Sequence, residues 1–344
     1  MKDNIFALEL KLISYIKQKS NLKHLDKHLV HGIGDDCAVI DIQGEKLLIT
    51  TDSMVQDVHF RLKWSPPYLL GKKAASSSIS DIAAMGAIPK WALLNLCIPK
   101  SISQEFISDF IDGFLERLDE YKTTLIGGDI TSSPSTLTIS VTIIGTSLGN
   151  RYLLRKKDFS KGDLIFCSGY LGEAAAGLLI LENKKPKIKK LLKKAYKRCK
   201  KRLINAFLDP KALVDIGLSL SSKELDCALM DISDGIATDL CHMLKDSGFC
   251  AKIYLDKLPI SRAVKTIAKI FRISPYDLAL KGGEDYQLLW ILEPNKAKKI
   301  IPELSRLFNY PISLIGYIDY GQGIWVKRQN RWQEVSYTGF EHKF

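Results

Sequence analysis

The chain has 344 residues, is 46% hydrophobic and 26% charged, and carries a formal net charge of +12. That length suggests about two domains at roughly 100–200 residues each, and the composition excludes a disordered or low-complexity chain. No apolar run approaches the ~18 residues of a membrane span, and seven cysteines without a CxxC pair argue against a zinc site and for reduced thiols in a cytoplasmic protein.

The opening MKDNIFALELKLISYIKQ predicts an amphipathic helix over 4–19, because acids and bases interrupt its apolar positions as no signal peptide allows. Strands are expected near 37–41 and 46–51, then a helix over 69–85 ended by Gly86. Strand 91–98, helix 103–121, a short strand 123–126 running into GGD, and strand 136–145 complete a first half. A second half begins near 150, with a turn, buried strand and glycine in KGDLIFCSG (161–169) and a helix over 172–182. Further helices are expected near 210–220, 236–247, 261–271 and 295–308. Strands are expected in CALMDISDG (227–235), 250–255, GGEDYQLLWIL (282–292), 312–319 and 323–328. Strands and helices mix in both halves, so the class is α/β or α+β.

Residues 184–202, KKPKIKKLLKKAYKRCKKR, hold twelve Lys or Arg and no acid, which equals the whole net charge. Their apolar residues recur at helical spacing, giving a helix with a solvated basic face. A polyanion-binding surface is the sharper alternative, and no RNA-binding aromatic signature or zinc finger accompanies it.

Acids stand beside Gly, Ser or Thr at the edge of apolar elements in five stretches: GIGDD (32–36), TTDS (50–53), SD (80–81), GGD (127–129) and DISDG (231–235). One such acid is ordinarily a cap or turn residue. Six of them, Asp36, Asp52, Asp81, Asp129, Asp231 and Asp234, would repel one another if gathered. Hard cations such as Mg²⁺ bound to a polyphosphate would relieve that repulsion, and Thr50 and Thr51 could add oxygen ligands. Gly127 and Gly128 would let backbone approach a phosphate. The glycines of SGYLGEAAAG (168–177) could open a helix onto an anion, although close packing explains them equally well. The chain has no GxxxxGK[ST] loop, no protein-kinase HRD or DFG set and no GxSxG elbow, which disfavours those chemistries.

The words GIGDDCAV, TTDSMVQDVHF, SDIAAMGAIPKW, LIGGDIT, LLRKKDFSKGD, MDISDGIATDL, GGEDYQLLW and the terminal GFEH together resemble the thiamine-monophosphate kinase family. That family lies within the superfamily of aminoimidazole ribonucleotide synthetase and selenophosphate synthetase. The resemblance implies an N-terminal ATP- and Mg²⁺-binding α/β domain over 1–149, whose sheet forms a homodimer interface, and a C-terminal α+β domain over 150–344. It implies Mg²⁺-dependent direct transfer of the ATP γ-phosphoryl group to thiamine monophosphate, with no catalytic side chain attacking; neither a membrane nor a nucleic acid is an expected partner.

By position, the resemblance makes Asp36, Thr50, Thr51, Asp52, Asp81, Asp129, Asp231 and Asp234 metal positions. Gly128, Asp129, Arg155 and Ser233 become nucleotide contacts, with Tyr121 a further candidate, and His59, Glu284 and Phe340 substrate contacts. Taken singly, His59 reads as a loop cap, Phe340 as a packed aromatic, Glu284 as a turn acid and Arg155 as a surface ion pair. The family's metal contact falls on Asp36, leaving Asp35 to cap the turn or hold a metal-bound water. LDPK (208–211) departs from the family's Pro-x-Pro-Arg word, and Lys211 lacks an arginine's planar fork. A superfamily sibling with another ATP-dependent reaction, or a polyanion-binding protein acting through 184–202, are the alternatives.

Overall fold

The computed structural model describes residues 5–20, 26–155, 158–194, 197–223, 225, 227–308 and 310–335. Helix α1 (Ile5–Ser20) opens the chain. Strands β1 (Leu29–His31), β2 (Ala38–Ile42) and β3 (Glu45–Val55) pair antiparallel in succession. Helix α2 (Pro67–Ala84) leads to β4 (Ile88–Pro99), α3 (Gln104–Glu120), β5 (Thr124–Ser133) and β6 (Thr138–Thr146). The six strands form one sheet in the order β1-β2-β3-β6-β4-β5. β4 and β5 are parallel and joined through α3, as a parallel pair requires.

A second sheet takes all its strands from residue 164 onward. Its elements are β7 (Leu164–Ser168), α4 (Glu173–Glu182), α5 (Pro186–Lys194), α6 (Lys197–Leu208), α7 (Val214–Ser221), β8 (Cys227–Ile232), α8 (Ile236–Leu244), β9 (Phe249–Tyr254), α9 (Arg262–Phe271), α10 (Pro275–Lys281), β10 (Gln287–Leu292), α11 (Pro294–Leu307), β11 (Ile312–Tyr320), β12 (Ile324–Arg328) and β13 (Arg331–Val335). The strand order is β13-β12-β9-β11-β7-β10-β8. The molecule is thus a mixed α/β protein built on two sheets.

Helix α2 lies where the two halves meet. Its sequence, LLGKKAASSSISDIAA, is rich in Ala and Ser because it is covered on nearly every side and has little room for bulk. The alternation of β6 turns Ile139, Val141 and Ile143 inward to share a core with Ala75, Ile79 and Ile82 of α2. Helix α3 crosses α2 at paired glycines: a Cβ on Gly71 would overlap the Phe110 carbonyl, and one on Gly113 the Tyr68 carbonyl. Behind α2, Arg117 of α3 is fully buried, donating to Ser76 Oγ and to the Pro210 carbonyl at 2.6 Å each and pairing with Asp209.

Several elements differ from expectation. Strand β5 continues through GGD to Ser133, because Gly127, Gly128 and Asp129 stay in register with Leu93, Leu94 and Asn95. The helix expected from 210 begins at Val214, since Asp209 and Pro210 are held by Arg117. Residues 184–202 fall in two helices, α5 and α6. Helix α10 was not expected, although Ser274 caps it and Pro275 starts it. Among the described residues no helix is long and apolar enough to cross a membrane, and all seven cysteines are free.

Candidate active site

Four carboxylates meet where α2 faces both sheets. Thr50 and Asp52 are two residues apart on β3 and therefore share a face. The Thr50 hydroxyl donates to Asp81 Oδ2 of α2 at 2.5 Å. One residue earlier on α2, Ser80 donates to Asp231 Oδ2 at 2.6 Å, linking the helix to the end of β8. Asp36 enters from the turn before β2. Burial pushes the Asp36 carboxyl well above the ordinary carboxylate range, and the charges of Asp231, Asp35 and Asp52 push it further. Asp81 is raised in the same way by burial and then by Asp52, Asp231 and Asp36. Asp52 is raised by burial against a hydrogen bond from Ser78. Burial pushes Asp231 up to about 7, with Asp52 and Asp234 adding to the effect.

These groups fit a hard cation by their chemistry. All offer oxygen, and Asp36 Oδ2 is shut away from solvent with no hydrogen-bond partner among the described residues. Such an orphaned anionic oxygen is costly unless a positive charge meets it. No three His, Cys, Asp or Glu side chains among the described residues converge on a single metal position. Instead, the Thr50 and Ser80 hydroxyls each satisfy one acid.

The other sequence candidates divide. Asp35 Oδ1 accepts from the Asp36 N–H at 2.9 Å and the Arg155 N–H at 3.3 Å, so Asp35 braces its own turn. The Arg155 guanidinium donates to the Gly34 carbonyl, placing this residue against the GIGDD turn. Ser233 and Asp234 follow Asp231 in the turn that enters α8. Thr51 points to the opposite face of β3, where its hydroxyl accepts from Thr142 at 3.0 Å and donates to the Val141 carbonyl at 3.3 Å. Asp129 is exposed on β5, the edge strand. Gly128, at φ 152°, has a reason other than phosphate approach: a Cβ there would overlap the Leu94 carbonyl of β4. The Tyr121 hydroxyl donates to the Ala212 carbonyl at 2.9 Å, and burial pushes its pKa up to about 12.

His59 accepts the Val55 N–H at Nδ1 (3.0 Å), so its proton sits on Nε2 when it is neutral. Glu284 pairs with Lys73, and its own N–H donates to the Ser233 carbonyl at 2.7 Å. Phe340 lies outside the described residues. Lys211 pairs with Glu120 on α3.

Two groups had no part in the sequence expectations. Asp285 is buried and accepts from the N–H groups of Gly172 (2.5 Å) and Ala174 (3.0 Å), capping α4. The group that meets the α4 N-terminus within SGYLGEAAAG is therefore the protein's own Asp285 side chain. The Tyr286 phenol is buried in the field of Glu284, Asp52, Asp231 and Asp81, and burial first, then these charges, raise its pKa well above the ordinary value. Both follow Glu284 directly in GGEDY, and only the acid-rich setting of that word pointed to them.

Residues 34–147 match the family described as AIR synthase related protein, N-terminal domain. The chain is 37% identical over 337 residues to the thiamine-monophosphate kinase of Buchnera aphidicola subsp. Schizaphis graminum, covering 97% of this chain and 98% of that protein. It is 35% identical to the thiamine-monophosphate kinase of Haemophilus influenzae, over 92% of this chain and 93% of that one. Among solved structures it resembles AaThiL complexed with AMPPCP and TMP, with a TM-score of 0.81, 32% identity and 97% of each chain covered. With full-length identity at this level to several such enzymes, the chain belongs to the thiamine-monophosphate kinase family.

Proposed function

We propose that this protein transfers the γ-phosphoryl group of ATP to thiamine monophosphate, giving thiamine diphosphate and ADP, as a Mg²⁺-dependent cytoplasmic homodimer. The observation that carries the acceptor is the likeness, over 97% of both chains, to a structure complexed with AMPPCP and TMP. The carboxylate seam supports the rest. Asp36, Asp52, Asp81, Asp231 and Asp234, with Thr50, the Thr51 carbonyl and Asp129, would hold Mg²⁺. The bound ions would neutralise phosphate charge where two polyanions must meet.

The chain's own groups then bind and orient. In this reading Arg155, held at the GIGDD turn, offers a forked donor to the triphosphate. Gly128, Asp129, Ser233 and Tyr121 complete the nucleotide side, while His59, Glu284 and Phe340 receive the acceptor. The acceptor atom is a phosphate oxygen, ionised near neutral pH, so no strong general base is needed. No side chain is required to carry the phosphoryl group, and a kinetically competent phosphoprotein would contradict this. Ile126 and Ile130, 54% and 69% exposed on the edge strand β5, support pairing with a second copy through this sheet.

One assay tests the function: ATP and Mg²⁺ with thiamine monophosphate, with thiamine, or with no acceptor, following thiamine diphosphate. Formation from the monophosphate alone is expected. Absence there defeats the proposal, and formation from free thiamine would indicate a pyrophosphokinase.

A further inference from the structure

We propose that Lys73 is a positioning residue for the acceptor side of the site, fixing the Glu284 carboxylate from beneath. The inference rests on the kinase reading and on Glu284 as an acceptor contact. Lys73 lies on α2, two helical turns before Ser80 and Asp81. Its side chain is 2% exposed, whereas that of Glu284 is 25% exposed, so one end of the pair is sealed and the other faces solvent. The ammonium lies 2.9 Å from Oε1 and 3.0 Å from Oε2, touching both carboxylate oxygens and so defining the plane of the group. The Phe207 ring of α6 lies beneath it, with its centroid 3.6 Å from the ammonium. Trp64 meets that ring edge-on at 5.6 Å, and Trp64 belongs to the segment after β3 that carries His59. A continuous set of contacts therefore joins the two candidate acceptor residues: from the His59 segment through Trp64, Phe207 and Lys73 to Glu284.

Stability does not explain this arrangement. A buried ion pair contributes little compared with apolar residues of similar volume. The backbone at Glu284 is also costly, with φ at +64° in a residue that is not glycine. Its N–H is tied to the Ser233 carbonyl, in the same turn as Asp231 and Asp234. Two costly features, the buried ion pair and the positive φ, thus converge on the direction of one carboxylate beside the acid seam, and the hydrogen bond to Ser233 holds it there. An acceptor with a cationic ring and an anionic phosphate needs such a group: an aimed negative charge, held apart from the acids that manage the phosphates.

The test is steady-state kinetics with ATP and thiamine monophosphate varied separately, on wild type, Lys73→Met, Glu284→Gln and the double variant, with thermal melts alongside. Lys73→Met is expected to raise KM for thiamine monophosphate about tenfold or more while KM for ATP stays within about twofold, as loss of acceptor orientation predicts. The double variant is expected to match Glu284→Gln, because the two residues act as one unit. Acceptor and nucleotide KM rising together, an unchanged acceptor KM, or multiplying single effects would each overturn the role of Lys73. Should Lys73→Met fail to fold, the double variant, which removes both charges, is compared with Glu284→Gln. Equal acceptor KM then supports the proposal and a further rise overturns it. A wild type that makes no thiamine diphosphate sinks the kinase reading instead.

Discussion

Two regions carry the charge that sets this chain apart, and they treat it in opposite ways. At the seam, Asp231 is buried and Asp36, Asp52 and Asp81 are partly so; burial raises all four carboxyls, and neighbouring acids raise those of Asp36, Asp81 and Asp231 further. Along α5 and α6, residues such as Lys187, Lys189, Lys190, Lys197 and Lys201 are exposed. Arg202, at the end of the run, pairs with Glu173 at 2.8 Å and lies over Tyr170. The ridge dominates the composition, yet an exposed charge costs little and needs no partner. The seam is a minority of the acids, but each buried carboxylate demands compensation. The cost of a charge, and not the number of charges, marks the site.

The sharpest way to break this comparison is to neutralise one seam acid. Asp36→Asn is expected to lower kcat/KM on the order of 100–1000-fold, the loss usual for one charge-stabilising group. Asp35→Asn, at a residue that braces the turn, is expected to lose less than about tenfold. Equal losses would refute the split.

Next in size is Arg117, a buried charge with no place in the reaction. Arg117→Met strips partners from Asp209 and the Pro210 carbonyl and is expected to cost about 3–5 kcal/mol of stability. Denaturant unfolding measures it, and a change below about 1 kcal/mol would show that the clamp contributes little.

Asp285 gives a pH signature. Burial pushes its pKa from 3.8 up to about 7, ahead of the opposing hydrogen bonds from Gly172 and Ala174. The folded state therefore keeps a proton that the unfolded state has released. This contribution is fully favourable below the unfolded value and is lost as pH rises through about 7. The thermal midpoint of wild type should fall more between pH 4 and pH 7 than that of Asp285→Asn. Parallel profiles would contradict the assignment.

The smallest effect belongs to the ridge. Lys→Gln at 187, 189, 190, 197 and 201 together should leave kcat/KM within about twofold at ordinary salt. A loss beyond about tenfold that disappears at high salt would instead give the ridge a part in substrate capture.

Much of the site could be read from the sequence because its words are local. GIGDD, TTD, SD and DISDG put acids at strand and helix edges, and alternation alone turns Thr50 and Asp52 to one face. The same alternation sends the Thr51 hydroxyl away, which a two-residue period foretells. What escaped was tertiary. Gly127 and Gly128 look like a phosphate loop, and only the register with β4 shows that Gly128 also makes room for a strand. Asp285 and Glu284 are adjacent acids in one word, yet one faces inward to a helix and the other pairs with Lys73, more than 200 positions away. No local pattern separates them, because the difference lies in what each meets across the fold. Arg117 is likewise ordinary in sequence and becomes an anchor only when Asp209 and Pro210 are brought to it.

The cap on α4 has one more consequence. A helix N-terminus is a ready place for phosphate, but here Asp285 already sits on the amides of Gly172 and Ala174. An incoming phosphate would compete with a tethered ligand at an effective concentration of roughly millimolar or above. That competitor is never washed out and never diluted. The fold thereby closes one metal-free berth for an anion; under the proposed function, phosphate capture would fall to the seam, where holding the polyanion and supplying its counter-cations would be one and the same event.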